Sequence, residues 1–204
     1  MSLEPGHVFV VDDDSVMLLI LGGILRAAGH RAETFSHAEA LLERLSDGDR
    51  GCVVVDLRMP GLNGLELQQA LLGRGVLLPL IFVSGRADVP AAVAAMKGGA
   101  VDFLSKPVEP ATLCAAVERA LRTDAALTAT RAACERARAR WAELSTRERE
   151  VCRLFANGLA DKQIGAVLGT APSTVQAQRA RALQKLKVGS GAELVRLLAL
   201  TGDA

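Results

Sequence analysis

The first half of the chain alternates short apolar runs with stretches of helical spacing. Val8-Phe9-Val10-Val11 leads into Asp12-Asp13-Asp14, Cys52-Val53-Val54-Val55 into Asp56, Leu78 to Val83 into Ser84-Gly85, and Ala100 to Leu104 into Ser105-Lys106-Pro107. Arg31 to Phe35 reads as a short second strand. Runs without polar alternation belong to strands covered on both faces, as in a parallel sheet. Between them, Ser15–Ala28, His37–Leu45, Leu62–Gly73, Asp88–Lys97 and the stretch from Glu109 carry apolar residues three or four apart and predict helices. Gly29, the polar turn Ser46 to Gly51, Pro60-Gly61 with Asn63-Gly64, and Gly98-Gly99 punctuate the chain. Five strands alternating with five helices over short connections predict an α/β doubly wound, five-stranded parallel sheet. Gly22-Gly23 inside the first helix costs about 1 kcal/mol per glycine relative to Ala, and reads as tolerated or as close packing.

The pattern then changes. Thr123 to Trp141 is rich in Ala and Arg, free of Gly and Pro, and without a heptad, which predicts a mostly solvated helical linker, with Trp141 as a packing anchor. Ser145 and Glu148 have the spacing of a capping box and open a helix that Asn157-Gly158 ends. A short helix, Asp161 to Leu168, precedes a turn at Gly169 and a longer helix that starts at Pro172 and buries Val175, Ala182, Leu183 and Leu186. A last helix spans Ala192 to Leu200. Short helix, Gly turn and longer helix form the helix-turn-helix pattern, so a small all-α domain follows the sheet. The expected boundaries are 1–122, 123–143 for the linker and 144–204.

Composition sharpens this division. The net charge of +1 conceals 11 basic against 15 acidic residues over 1–122, 4 against 3 over 123–143, and 9 against 5 over 144–204. A basic second module suits nucleic acid. Cys52, Cys114, Cys134 and Cys152 show no metal-ligand spacing and read as buried reduced thiols. With no apolar run of membrane length and no leader at the N-terminus, a soluble cytoplasmic protein without a membrane partner is expected.

The strand ends carry the chemistry. In a doubly wound sheet they share one edge, so Asp12, Asp13, Asp56, Ser84 and Lys106 should converge. Taken alone, Asp56 could equally cap the next helix. Three carboxylates in one cleft repel and call for a divalent cation or partial protonation. Hard oxygen donors suit Mg²⁺, which counters the repulsion between a phosphoryl donor and an anionic nucleophile. Lys106 adds fixed positive charge, Ser84 can donate to a phosphoryl oxygen, and a carboxylate so placed can attack phosphorus to form an acyl phosphate.

Asp12-Asp13, Asp56 with Met59-Pro60-Gly61 and Gly64, Ser84-Gly85 and Lys106-Pro107 make this half resemble the flavodoxin-like receiver domain of two-component response regulators. The resemblance implies Asp56 as phosphoacceptor; Asp12, Asp13, Asp56 and the Arg58 carbonyl as Mg²⁺ ligands; and Ser84 and Lys106 as holders of the phosphoryl group. Phe103 falls at the aromatic switch position, with a plain core aromatic as the alternative. Leu144-Ser-Thr-Arg-Glu-Arg-Glu-Val, Lys162-Gln163-Ile164, Thr174-Val175, Lys185-Leu186 and Glu193-Leu194-Val195 resemble the LuxR-type helix-turn-helix, and the whole resembles the FixJ/NarL group. That group implies a sensor histidine kinase and double-stranded DNA as partners and a homodimer when phosphorylated.

On the longer helix, Gln176 and Ala177 are placed to reach base edges, since Gln pairs with adenine and Ala touches a thymine methyl. Lys162, Ser173, Thr174, Arg179 and Arg181 are the candidates for phosphate contacts. Ala160 and Ala171 depart from the family, which usually has Ser or Thr there; losing such a cap costs about 1 kcal/mol, and Asp161 is a candidate substitute at the first. Thr170 stands where an apolar residue is usual, and Gln178 where His is common. Two rivals stay open. A phosphohydrolase of the haloacid dehalogenase type would need a second Asp two residues after the nucleophile, where this chain has Arg58. A receiver acting through protein contacts would have lost its DNA.

Overall fold

The computed structural model describes residues 6–46, 48–85 and 89–202. The expected helix start at Asp88 and residues 1–5, expected to carry no leader, lie outside the described residues. The strands β1 (His7–Val11), β2 (Arg31–Phe35), β3 (Cys52–Asp56), β4 (Leu80–Ser84) and β5 (Asp102–Ser105) form one parallel sheet in the order β2-β1-β3-β4-β5. Helices α1 (Ser15–Ala27), α2 (Ala38–Arg44), α3 (Gly64–Gly73), α4 (Val89–Lys97) and α5 (Pro110–Ala142) alternate with them.

Successive strand residues point to opposite faces, and both faces of β1, β3 and β4 are covered, which is why these three central strands are almost wholly apolar while the edge strand β2 carries Arg31, Glu33 and Thr34. Phe9, Val11, Val53, Val55 and Phe82 pack with Leu41 of α2 and Leu67 and Leu71 of α3. Val8, Val10, Val54, Ile81 and Val83 pack on the other face with Leu21 and Leu25 of α1 and Leu113 and Val117 of α5. Full burial of each such side chain contributes roughly 1.5–3 kcal/mol relative to exposure. The register pairs Val11 with Val55, Asp56 with Val83, and Ser84 with Ser105, so the strand ends share one edge.

Element ends differ from the sequence expectation for local reasons. Helix α3 begins at Gly64 rather than Leu62 because Asn63 caps it: its Oδ1 accepts from the Leu65 and Glu66 N–H groups at 3.0 Å, and Glu66 returns a bond to the Asn63 N–H at 2.9 Å. Strand β5 begins at Asp102, since Ala100 closes α4 by donating to the Ala95 carbonyl at 3.0 Å. The glycines of α1 divide the two readings between them. A Cβ at Gly22 would lie 3.2 Å from the Arg26 guanidinium and 3.3 Å from Thr34, whereas one at exposed Gly23 meets nothing within 4 Å. Gly23→Ala should therefore raise stability by about 0.5–1 kcal/mol, read as a higher urea midpoint at unchanged slope.

The chain divides into two compact units between Leu127 and Thr128. Residues 123–141 lie wholly within α5 and are mostly exposed, with buried exceptions at Asp124, Ala137 and Trp141. In the first unit Asp124 accepts from the Arg50 guanidinium at 2.9 Å and from the Gly51 N–H at 3.1 Å. In the second unit α6 (Thr146–Ala156), α7 (Asp161–Leu168), α8 (Pro172–Leu186) and α9 (Gly191–Thr201) enclose a core. Trp141 is buried there with Leu144, Cys152, Ala182, Leu186 and Leu194, while Val151, Ile164 and Val175 make a second cluster. All four cysteines are free. Burial pushes the Cys52 thiol up to about 12 and Cys152 to about 11, so both stay protonated and inert. Cys114 and Cys134, expected to be buried, are only half-buried because they sit on the flanks of α5.

Candidate functional site

At the carboxyl edge of the sheet, Lys106 reaches back from the end of β5 between two acids. Its Nζ lies 2.5 Å from Asp56 Oδ1 and 2.7 Å from Asp12 Oδ2. Each carboxylate engages backbone with its other oxygen: the Asp14 N–H donates to Asp12 Oδ1 at 3.0 Å, and the Arg58 N–H donates to Asp56 Oδ2 at 2.6 Å. Asp12 and Asp56 are buried, at 1% and 6% exposure. Burial pushes the Asp12 carboxyl above its ordinary value, with Lys106 and the Asp14 N–H opposing. Burial also works against the Lys106 charge, yet its bonds to Asp12 and Asp56 outweigh that and hold its pKa above the usual lysine range. The ammonium thus keeps two buried like charges together.

The three consecutive acids have separate places. Asp12 pairs with Lys106, Asp13 is exposed, and Asp14 caps α1 by accepting from the Val16 N–H at 2.8 Å. Ser84 is buried at the end of β4, and its carbonyl accepts from the Lys106 N–H at 2.7 Å. Phe103 is half-buried and stacks on Phe82, ring centres 6.2 Å apart. Arg58 is exposed. Gly64 has no room for a side chain, since a Cβ would lie 2.5 Å from the Asp56 carbonyl oxygen. The Pro60–Gly64 turn is held by Glu39, which accepts from the Leu62 N–H at 3.2 Å.

The donors are hard oxygens, which fit Mg²⁺. That ion takes one or two carboxylates and keeps waters rather than occupying an all-protein cage. Among the described residues no three His, Cys, Asp or Glu side chains form a ready-made metal cluster.

In the second unit α8 turns Val175, Ala182 and Leu186 inward and exposes Ser173, Thr174, Gln176, Ala177 and Arg181; Lys162 at the start of α7 is also exposed. Arg179 does not join them. It is half-buried, its guanidinium 4.5 Å from the centre of the Phe155 ring and 3.0 Å from Asp161 Oδ1, a charge contact without hydrogen-bond angles. Ala180 and Gln184 are exposed on the same face as Ser173 and Ala177, as helical spacing from Ser173 requires.

The caps are uneven. Neither Ala160 nor Ala171 offers a side-chain bond. At the first, only the other half of a capping box is present, Gln163 accepting from the Ala160 N–H at 2.9 Å. Ala171→Ser should stabilise the second unit by about 1 kcal/mol, seen as a raised thermal midpoint. Ser145 and Glu148 form the expected capping box, and Glu148 also accepts from Lys185 at 2.8 Å. Burial opposes its charge, but the Lys185 and Ser145 bonds outweigh that and hold the Glu148 carboxyl below its ordinary 4.5. A lowered folded pKa gives stability that is present above 4.5 and lost as pH falls through the lower folded value. Glu148→Gln should cost about 1 kcal/mol at neutral pH and flatten that acid limb in a pH series of melts.

Comparison with known proteins agrees with this division. Residues 8–118 match the response regulator receiver domain family, and residues 142–198 the LuxR family of bacterial regulatory proteins. The chain belongs to the FixJ/NarL group of response regulators, which are phosphorylation-controlled transcriptional regulators. The transcriptional regulatory protein FixJ of Bradyrhizobium diazoefficiens is 40% identical over 197 residues, 97% of this chain and 96% of that one. Among solved structures, the response regulator StyR is 40% identical with a TM-score of 0.83, covering 97% of this chain and 99% of that one. Full-length FixJ from B. japonicum is 39% identical with a TM-score of 0.61, covering 99% and 100%. Receiver domains generally bind Mg²⁺ at their acidic pocket. These relatives are regulators rather than classical enzymes, and among the described residues no helix is long and apolar enough to cross a membrane.

Proposed function

We propose that Asp56 accepts a phosphoryl group from a sensor histidine kinase and that this controls how the basic second module engages double-stranded DNA. The observation that carries the reading is Lys106 bridging Asp12 and Asp56 at the edge of the sheet. A carboxylate oxygen of Asp56 attacks phosphorus, and the O–P bond forms as the donor's bond to phosphorus breaks. Lys106 and the Ser84 hydroxyl then hold the phosphoryl oxygens. Asp12, Asp13, Asp56 and the Arg58 carbonyl would hold Mg²⁺, which would supply positive charge for the approach of two anions. Self-phosphorylation on Asp56 and loss of the phosphoryl group to water, slow self-dephosphorylation, are the catalytic properties assigned.

Movement of Ser84 towards the phosphoryl group carries Phe103 with it and alters the surface of α4 and β5, on which two chains pair. A homodimer offers two recognition helices to half-sites about one DNA turn apart. The domains assigned are 1–122 for the receiver, 123–143 for the linker and 144–204 for DNA binding, in a cytoplasmic protein. Sedimentation and footprinting with and without a small phosphodonor and Mg²⁺ test this. A shift to a dimer with a protected duplex of two half-sites supports it, and a monomer with an unchanged footprint counts against it.

A further inference from the structure

We infer that the DNA this protein selects presents A·T pairs, not G·C pairs, to the outward ridge of α8. The inference rests on reading α8 as the recognition helix and goes beyond it by naming the bases. With Val175, Ala182 and Leu186 fully buried, the ridge is Ser173, Gln176, Ala177, Ala180 and Gln184, at i, i+3, i+4, i+7 and i+11, all exposed.

No cation lies on that ridge. Arg179 is drawn inward by Asp161 and Phe155, and Lys185 is held by Glu148 at 2.8 Å. Exposed Arg181, one turn on from Ala177, borders the ridge with Thr174 on one flank, where both are the candidates for phosphate contacts. Guanine is read chiefly by an Arg or Lys donating to its O6 and N7, and the ridge has no such donor. Gln176 and Gln184 each carry the paired donor and acceptor that match adenine N7 and N6, two turns apart. Ala177 and Ala180 between them are short enough to let the helix sit deep in the major groove, and their methyl groups meet thymine methyls. The same ridge would reject a G·C pair by leaving the guanine acceptors without a donor.

The test is selection from randomised duplexes by the full chain treated with a phosphodonor and Mg²⁺, followed by single-base variants of the selected site. A·T pairs are expected at the contacted positions, with each Gln-read adenine preferred over guanine by about 10-fold or more. Gln184→Ala should level that preference at one position and Gln176→Ala at another. Uracil in place of a contacted thymine should weaken binding about fourfold for the lost methyl. Ala180→Arg should create a guanine preference. Selection of G·C pairs at those positions, or an A·T preference untouched by both Gln variants, overturns the inference while leaving DNA binding intact. Absence of binding to any duplex overturns the DNA reading and this inference together.

Discussion

Replacing Asp56 by Asn is expected to reduce incorporation of label from a small phosphodonor with Mg²⁺ to background, while the protein stays folded. The amide keeps the shape of the carboxylate and an oxygen able to accept the Arg58 N–H, so the turn after β3 is retained. Lys106 keeps Asp12, 2.7 Å away. What disappears is the anionic oxygen proposed to attack phosphorus. Removing one of two buried like charges should leave the melting midpoint unchanged or higher. Intact-mass measurement and a melt on the same sample separate loss of the acceptor from loss of the fold. Undiminished labelling would place the acceptor elsewhere than Asp56.

Duplex affinity should fall steeply with salt. Exposed Lys162 and Arg181 give four candidate phosphate partners in a dimer. Four neutralised phosphates imply a log–log slope of about −3.6, a loss of roughly two decades in affinity between about 50 and 200 mM salt. Arg181→Ala should about halve the slope, because two of the four cations go. Arg179→Ala should change it little and instead lower the stability of the second unit, since Arg179 already serves Asp161 and Phe155. A flat salt profile would favour a protein partner for this module.

The convergence at the strand ends could be read from sequence because buried parallel strands are continuous apolar runs, and each of these stops at a polar residue. Sheet order then brings Asp12, Asp56, Ser84 and Lys106 to one edge. The roles within Asp12-Asp13-Asp14 could not be sorted that way. Which acid caps α1 and which meets Lys106 depends on the turn of the backbone and on a lysine 94 residues along the chain. Arg179 was assigned to DNA because an Arg on a recognition helix is read as exposed; its partner Asp161 belongs to the preceding helix, and pairing between helices leaves no periodic trace. The missing caps at Ala160 and Ala171 are evident from sequence, and the Gln163 bond to the Ala160 N–H is the half of a capping box that needs no cap side chain.

The central claim is that the phosphoryl group on Asp56 sets DNA affinity. The direct measurement follows duplex affinity and acyl phosphate together, in one sample, as the label decays after the donor is removed. Affinity is expected to fall with the half-time of the label, and Asp56→Asn protein to start and stay at the final level. Affinity that holds steady while the acyl phosphate disappears would contradict it.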